Sequence, residues 1–173
     1  MTAPRPTDAA TEPARPVPFV DLHLQNAEVL TEVRAAMDEV CTSGAFVLGP
    51  AVGQFEDDYA AFCGVDHCVG VGNGTDAIEL ALRGVGIGPG DEVVVPANTF
   101  VATAEAVLRA GADLVLADCT DDFLLDPADL ARRVTPRTRA VVGVDLYGQV
   151  APFEELGEVL GPDVLLLEDA AQS

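Results

Sequence analysis

The sequence predicts an α/β fold built on an open, parallel sheet. Two observations carry this. Short apolar, β-branched runs recur along the chain, and each is followed by a stretch whose apolar residues fall at helical spacing. The runs are apolar on both faces, as buried parallel strands are. Repeated strand–helix units then imply an open sheet with right-handed crossovers. No internal repeat is visible.

The elements follow in order. Residues 1–16 are polar, alanine-rich and dense in proline, with Pro4, Pro6, Pro13 and Pro16 leading to Pro18. They read as a disordered tail, and order is expected to begin near residues 17–21. Val29, Val33, Met37 and Val40 predict an amphipathic helix over 26–42, stopped at Ser43-Gly44. Val52, Phe55, Tyr59 and Phe62 predict a second helix over 51–63. Alternation begins after that. Strands are predicted over 67–71, 92–95, 114–117, 140–144 and 164–167. Helices are predicted over 74–84, 99–110, 126–134 and 152–160. The third of these opens with Asp126 as its cap and Pro127 at the first helical position.

The chain has 173 residues, a length that suits one domain, and it is 49% hydrophobic and 22% charged, a globular composition. A formal charge of −20 argues against nucleic acid or an anionic membrane as the main partner, because both need basic patches. The excess reads as a solvated acidic surface. All nine basic residues are arginine, and the sequence contains no lysine. Cys41, Cys63, Cys68 and Cys119 form no CxxC pair. Cys63, His67 and Cys68 lack a credible fourth ligand, so no metal is expected. Buried, reduced cysteines are expected instead. No apolar run reaches the roughly 20 residues that span a bilayer. The N-terminus has no apolar signal core. The expected location is the cytoplasm.

Open α/β sheets bind ligands at the carboxyl ends of their strands, and three such ends are chemically marked. At 71–77 a strand gives way to Gly72, Asn73 and Gly74, and a helix starts at Thr75. Backbone N–H groups at that helix start, with the Thr75 hydroxyl, suit a phosphate. An ordinary glycine turn capped by Thr75 fits equally. At 96–100, Phe100 opens a helix where its ring can stack on a planar ligand or pack in the core. At 168–172 an apolar strand delivers Glu168, Asp169 and Gln172 to the same edge. A carboxylate there can hold a pyridine nitrogen protonated, or Asp169 can cap a helix.

Seven stretches in order resemble the DegT/StrS sugar aminotransferases. They are residues 18–22, 43–50, 72–77 (Gly-Asn-Gly-Thr-Asp-Ala), 86–93, 96–103 (Pro-Ala-Asn-Thr-Phe-Val-Ala-Thr), 145–149 and 168–172 (Glu-Asp-Ala-Ala-Gln). The resemblance covers nearly the whole chain from residue 18.

That resemblance implies a three-layer open sheet of the aspartate-aminotransferase fold (fold type I), with residues 17–173 as the N-terminal part of the cofactor-binding large domain. It implies pyridoxal 5'-phosphate as cofactor. Gly74 and Thr75 would hold the phosphate and Phe100 would stack on the ring. Asp169 would pair with the pyridinium nitrogen, and Gln172 would contact the ring oxygen. The implied reaction passes an amino group, usually from glutamate, to a keto group on a nucleotide-linked sugar or a cyclitol, in a homodimer. There are two departures. Position 145 is Asp where the family usually has His, and the family's Schiff-base lysine falls beyond residue 173. The residues present leave three readings: part of an aminotransferase, a binding or interaction remnant without chemistry, or the family's dehydratase branch, where a histidine replaces the lysine. Residues 1–173 by themselves are expected to be inactive.

Overall fold

The structure is a computed structural model that describes residues 16–173; the expected tail at 1–16 lies outside the described residues but for Pro16. The chain divides into two compact units, residues 1–68 and 69–173.

The first unit holds two helices, α1 (His23–Ser43) and α2 (Pro50–Cys63). Each ends on a glycine in the left-handed conformation, Gly44 at φ 70 and Gly64 at φ 69, which closes the last turn without a Cβ clash. Pro50 sits in the first turn of α2, where its missing N–H costs nothing. The predicted apolar stripes are present but not buried. Val33 and Met37 on α1, and Phe55 and Tyr59 on α2, are exposed, and Ala60 is the only buried residue described in this unit. Phe55 and Tyr59 stack on each other, with ring centres 5.5 Å apart.

The second unit carries the sheet. Its elements are α3 (Gly74–Gly84), β1 (Glu92–Pro96), α4 (Val101–Ala110), β2 (Asp113–Ala117), α5 (Pro127–Arg133), β3 (Thr138–Val144), α6 (Phe153–Val159) and β4 (Leu165–Asp169), with a short 3-10 turn at Leu146–Gly148. The strands are all parallel in the order β2-β1-β3-β4. Burial follows that order. Central β1 is buried along its whole length and β3 at all but one position, whereas the outer strands β2 and β4 are only half-buried.

Three layers result. On one face, Ile78 and Leu82 of α3 and Ala106 and Val107 of α4 pack against Val93, Val95, Val142 and Val144. On the other, Leu130 of α5 and Leu156 of α6 pack against Val94 and Val141. Val93 and Val94 point to opposite faces because side chains alternate along a strand. The α/β class and the parallel, layered sheet are as the sequence predicts. As anticipated, Asp126 caps α5, accepting the Ala128 N–H at 2.8 Å, with Pro127 in the first turn.

Two expectations are corrected. Residues 67–71 are not a strand. A strand is defined by pairing, and the four-stranded sheet leaves no strand beside them; Val69 is exposed accordingly. Nor are the cysteines uniformly buried. Cys41 and Cys63 are exposed, while Cys68 and Cys119 are half-buried. Cys41 and Cys63 ride on α1 and α2, the helices with almost no buried surface. None of the described helices is long and apolar enough to cross a membrane, and no group of three or more possible metal ligands occurs among the described residues.

Candidate active site

The carboxyl ends of β1, β3 and β4 and the N-termini of α3 and α4 surround one cavity of about 390 Å³. That volume is within the range of small-molecule sites. Gly74, Thr75, Phe100, Asp169 and Gln172 all line it, joined by Asn73, Thr99 and Thr103. With Val144 and Leu146, four separate segments of sequence meet at one place.

The α3 end is built from Asn73. Its side chain, not that of Thr75, caps the helix: Asn73 Oδ1 accepts the Asp76 N–H at 2.9 Å. Gly74 and Thr75 therefore occupy the first two helical positions, whose N–H groups have no acceptor within a helix. Asp76 would oppose an anion here, but its charge is engaged. Asn73 Nδ2 donates to it at 3.0 Å and Arg109 of α4 pairs with it at 3.1 Å. Arg109 also pairs with Glu79 at 2.8 Å, tying α3 to α4.

Phe100 immediately precedes α4 in extended conformation, and its side chain is 69% exposed. It does not pack in the core. It forms part of the cavity wall, available to a planar ligand.

Asp169 is the last residue of β4 and caps no helix. Its Oδ2 accepts the Thr103 hydroxyl at 2.8 Å, and its Oδ1 accepts the Ala171 N–H at 3.3 Å. Gln172 follows in a turn. Its Oε1 accepts the main-chain N–H of Tyr147 at 2.7 Å, which leaves its Nε2 donors for a ligand.

Asp145 is almost fully buried and does not line the cavity. Its Oδ1 accepts the Ala151 N–H and its Oδ2 accepts the Ser173 hydroxyl, both at 2.9 Å. Asp145 thus ties Ala151 of the β3–α6 connection to Ser173. Neighbouring Glu168 holds its proton more tightly than an ordinary glutamate. Although the residue is exposed, loss of hydration around its carboxyl contributes most, followed by the hydrogen bond and the charge of Asp145.

Sequence reasoning missed Thr99, Thr103 and the capping role of Asn73. The i, i+4 spacing of the two threonines at a helix start was the available signal. Their convergence on Asp169, 66 residues from Thr103, had none.

The family model described as the DegT/DnrJ/EryC1/StrS aminotransferase family matches residues 28–173. The chain belongs to this family. It is 46% identical over 159 residues to the dTDP-3-amino-3,4,6-trideoxy-alpha-D-glucose transaminase of Streptomyces venezuelae, a match covering 91% of this chain and 42% of that protein. Among solved structures, S. venezuelae DesV in complex with a ketimine intermediate superposes with a TM-score of 0.87 at 45% identity, over 91% of this chain and 43% of that one. NtdA from Bacillus subtilis with bound cofactor PMP superposes with a TM-score of 0.83 at 29% identity, over 94% of this chain and 39% of that one. The chain thus spans less than half the length of the relatives it matches. Members of the DegT/DnrJ/EryC1/StrS family are aminotransferases of α/β fold, and solved members carry pyridoxal phosphate or its amine form, PMP.

The residues present fit that cofactor. It has a phosphate, a flat ring, a pyridine nitrogen and a ring oxygen. The cavity offers two helix-start N–H groups with the Thr75 hydroxyl, an exposed aromatic face, a carboxylate and an amide donor.

Proposed function

We propose that this chain is the cofactor-binding part of an aminotransferase that passes an amino group, with glutamate as donor, to a keto group on a nucleotide-linked sugar. One observation carries the reading: the anticipated phosphate, ring, nitrogen and oxygen contacts, drawn from three segments, line the same cavity. The name of the S. venezuelae relative, a dTDP-sugar transaminase, supports the substrate class. The glutamate donor and a homodimeric assembly rest on the family resemblance.

Each residue has a task in this reading. The N–H groups of Gly74 and Thr75, at the positive end of α3, hold the phosphate. Phe100 covers one face of the ring and keeps water from it. Asp169 accepts the hydrogen bond of the ring nitrogen and stabilises its proton by opposite charge. Gln172 donates from Nε2 to the ring oxygen. When bound, the protonated ring supplies an electron sink for the amino transfer. Residues 1–173 contain no lysine, so the amine that anchors the cofactor covalently comes from outside them.

PMP carries the same ring and phosphate and needs no lysine, so it tests the site directly. The 173-residue chain should bind PMP, and Asp169→Ala should weaken binding by about tenfold or more, the scale of a charge-assisted hydrogen bond. Equal binding by the variant in a dialysis experiment would remove Asp169 from the site. Borohydride reduction after mixing with PLP should leave no pyridoxyl adduct on residues 16–173.

A further inference from the structure

Thr103 lies in the first turn of α4 and is 1% exposed. A helical threonine commonly returns its hydroxyl to a carbonyl three or four residues back. Thr103 does not. Its hydroxyl goes across to Asp169 Oδ2 at 2.8 Å, while its main-chain N–H takes the Phe100 carbonyl at 3.2 Å. Thr99 Oγ1 stands 2.9 Å from Thr103 Oγ1. A threonine hydroxyl has one proton. Thr103 spends its proton on the carboxylate, so the proton between the two threonines belongs to Thr99. The chain of donors has one direction, Thr99 to Thr103 to Asp169.

We propose that Thr103, backed by Thr99, is a positioning residue that locks the Asp169 carboxylate in the orientation that receives the cofactor ring nitrogen. The inference rests on the reading of Asp169 given above. Two elements grip the carboxylate: Thr103 on α4 holds Oδ2, and the Ala171 N–H after β4 holds Oδ1. Held at both oxygens, it cannot rotate freely. Each carboxylate oxygen still keeps lone-pair capacity for the ring. Hydrogen bonds in such a chain polarise one another, and a charged terminus strengthens them. Phe100 sits between the two threonines in sequence. One short segment therefore sets both the ring-stacking face and the angle of the acid. A preset carboxylate avoids reorganising when the ring arrives.

The test has two parts on the full chain. The first needs no cofactor. In NMR spectra of threonine-labelled protein, the Thr103 hydroxyl proton should exchange slowly in the wild type and be lost in Asp169→Ala. Rapid exchange in the wild type overturns the relay. The second uses PMP. Thr103→Val should weaken binding roughly tenfold, the scale of one hydrogen bond to a charge, and move protonation of the ring nitrogen, followed by near-ultraviolet absorbance, to lower pH. Thr103→Ser, which keeps the hydroxyl, should restore both, with circular dichroism unchanged in each variant. Wild-type PMP binding and an unmoved pH profile in Thr103→Val overturn the positioning role. If Asp169→Ala binds PMP as the wild type does, the cofactor reading of Asp169 falls and the positioning role falls with it. The protected hydroxyl in the first part tells that failure apart from failure of the relay.

Discussion

The main-chain N–H of Tyr147 donates to the side-chain oxygen of Gln172 at 2.7 Å, across 25 residues of sequence. Tyr147 has φ 59, a left-handed conformation that is rare for a residue with a bulky side chain. Gln172 thus can do two things: its oxygen pins a strained turn, and its amide nitrogen is left for a ligand. The two can be separated. Gln172→Glu keeps the acceptor and loses the donor, so PMP affinity should drop about tenfold with thermal stability unchanged. Gln172→Ala loses both and should also melt a few degrees lower, roughly the shift of one lost hydrogen bond. Calorimetric titration and thermal melting separate these outcomes. Wild-type affinity in Gln172→Glu would remove the ring contact.

A second variant reports on the acid beside the site. The Glu168 pKa is raised above its usual value of 4.5, first by loss of hydration around its carboxyl and then by Asp145. Its folded pKa exceeds its unfolded one, so the folded state binds this proton more tightly. That contribution to stability is complete below the unfolded value and is lost as pH rises through the folded value. Glu168→Gln cannot lose a proton. Its melting temperature should gain on the wild type as pH rises from about 4.5 toward neutrality. A constant difference between the two proteins across that window would mean that the fold does not raise the Glu168 pKa.

Asp129 works in the opposite direction. Its carboxyl is held below the usual 3.8, chiefly by the Asp118 main-chain N–H, and then by Arg133 and Arg132. The Asp118 contact is 2.7 Å, and the arginines stand at 3.1 and 2.8 Å. A depressed folded pKa gives stability that is present above the unfolded value and is lost as pH falls through the folded one. Asp129→Asn should therefore melt lower than the wild type at neutral pH. The gap should close under acid, below about 3.8. Melting curves over an acid series check the sign.

The parallel class and the order of most elements could be read from the sequence because buried strands and amphipathic helices leave periodic marks. So did the cap at Asp126 and the glycine stop after α1. The site residues could be named for a different reason. Phe100, Asp169 and Gln172 lie at or just after strand ends, and strand ends in such sheets converge; Gly74 and Thr75 open α3 after a segment that pairs with no strand. What could not be read was partnership. Residues 67–71 have the composition of a strand, but composition does not supply a neighbour. Val33 and Met37 have the spacing of a buried face, but spacing does not supply a cover. Thr103 looks like any helical threonine until Asp169 arrives from the far end of the chain. Local propensity is written in the sequence, and long-range pairing is set by the whole fold.

The sheet allows one steric prediction. A Cβ added to Gly143 on β3 would lie 2.6 Å from Cε1 of Phe153 and 3.0 Å from its Cζ. The first distance is shorter than real Cβ contacts and the second is tight, and the ring is packed in the α5–α6 layer. Gly143→Ala should lose about 1–3 kcal/mol, the usual cost of overpacking. Adding Phe153→Leu, which shortens the obstructing side chain, should recover part of it. Urea denaturation of the single and double variants measures both terms, and additive losses would show that Phe153 is not the obstacle.

In the first unit only Ala60 is buried among the described residues, whereas β1 is buried end to end. The two parts of the chain should therefore trade amide hydrogens with solvent on very different clocks. A helix with no buried face is held by little beyond its own hydrogen bonds, and even 21 residues are marginal on those terms. Amides of α1 and α2 should exchange through small local openings. Those of β1 and β3 should wait for the sheet itself to open. Mass spectrometry of deuterated peptides would show this as a fast N-terminal third and a slow centre, and equal protection in α1 and β1 would contradict it. The contrast also gives the chain a built-in reporter. Any molecule that settles on α1 or α2 will slow amides that are otherwise quick, and the position of the slowed peptides will mark where it sits.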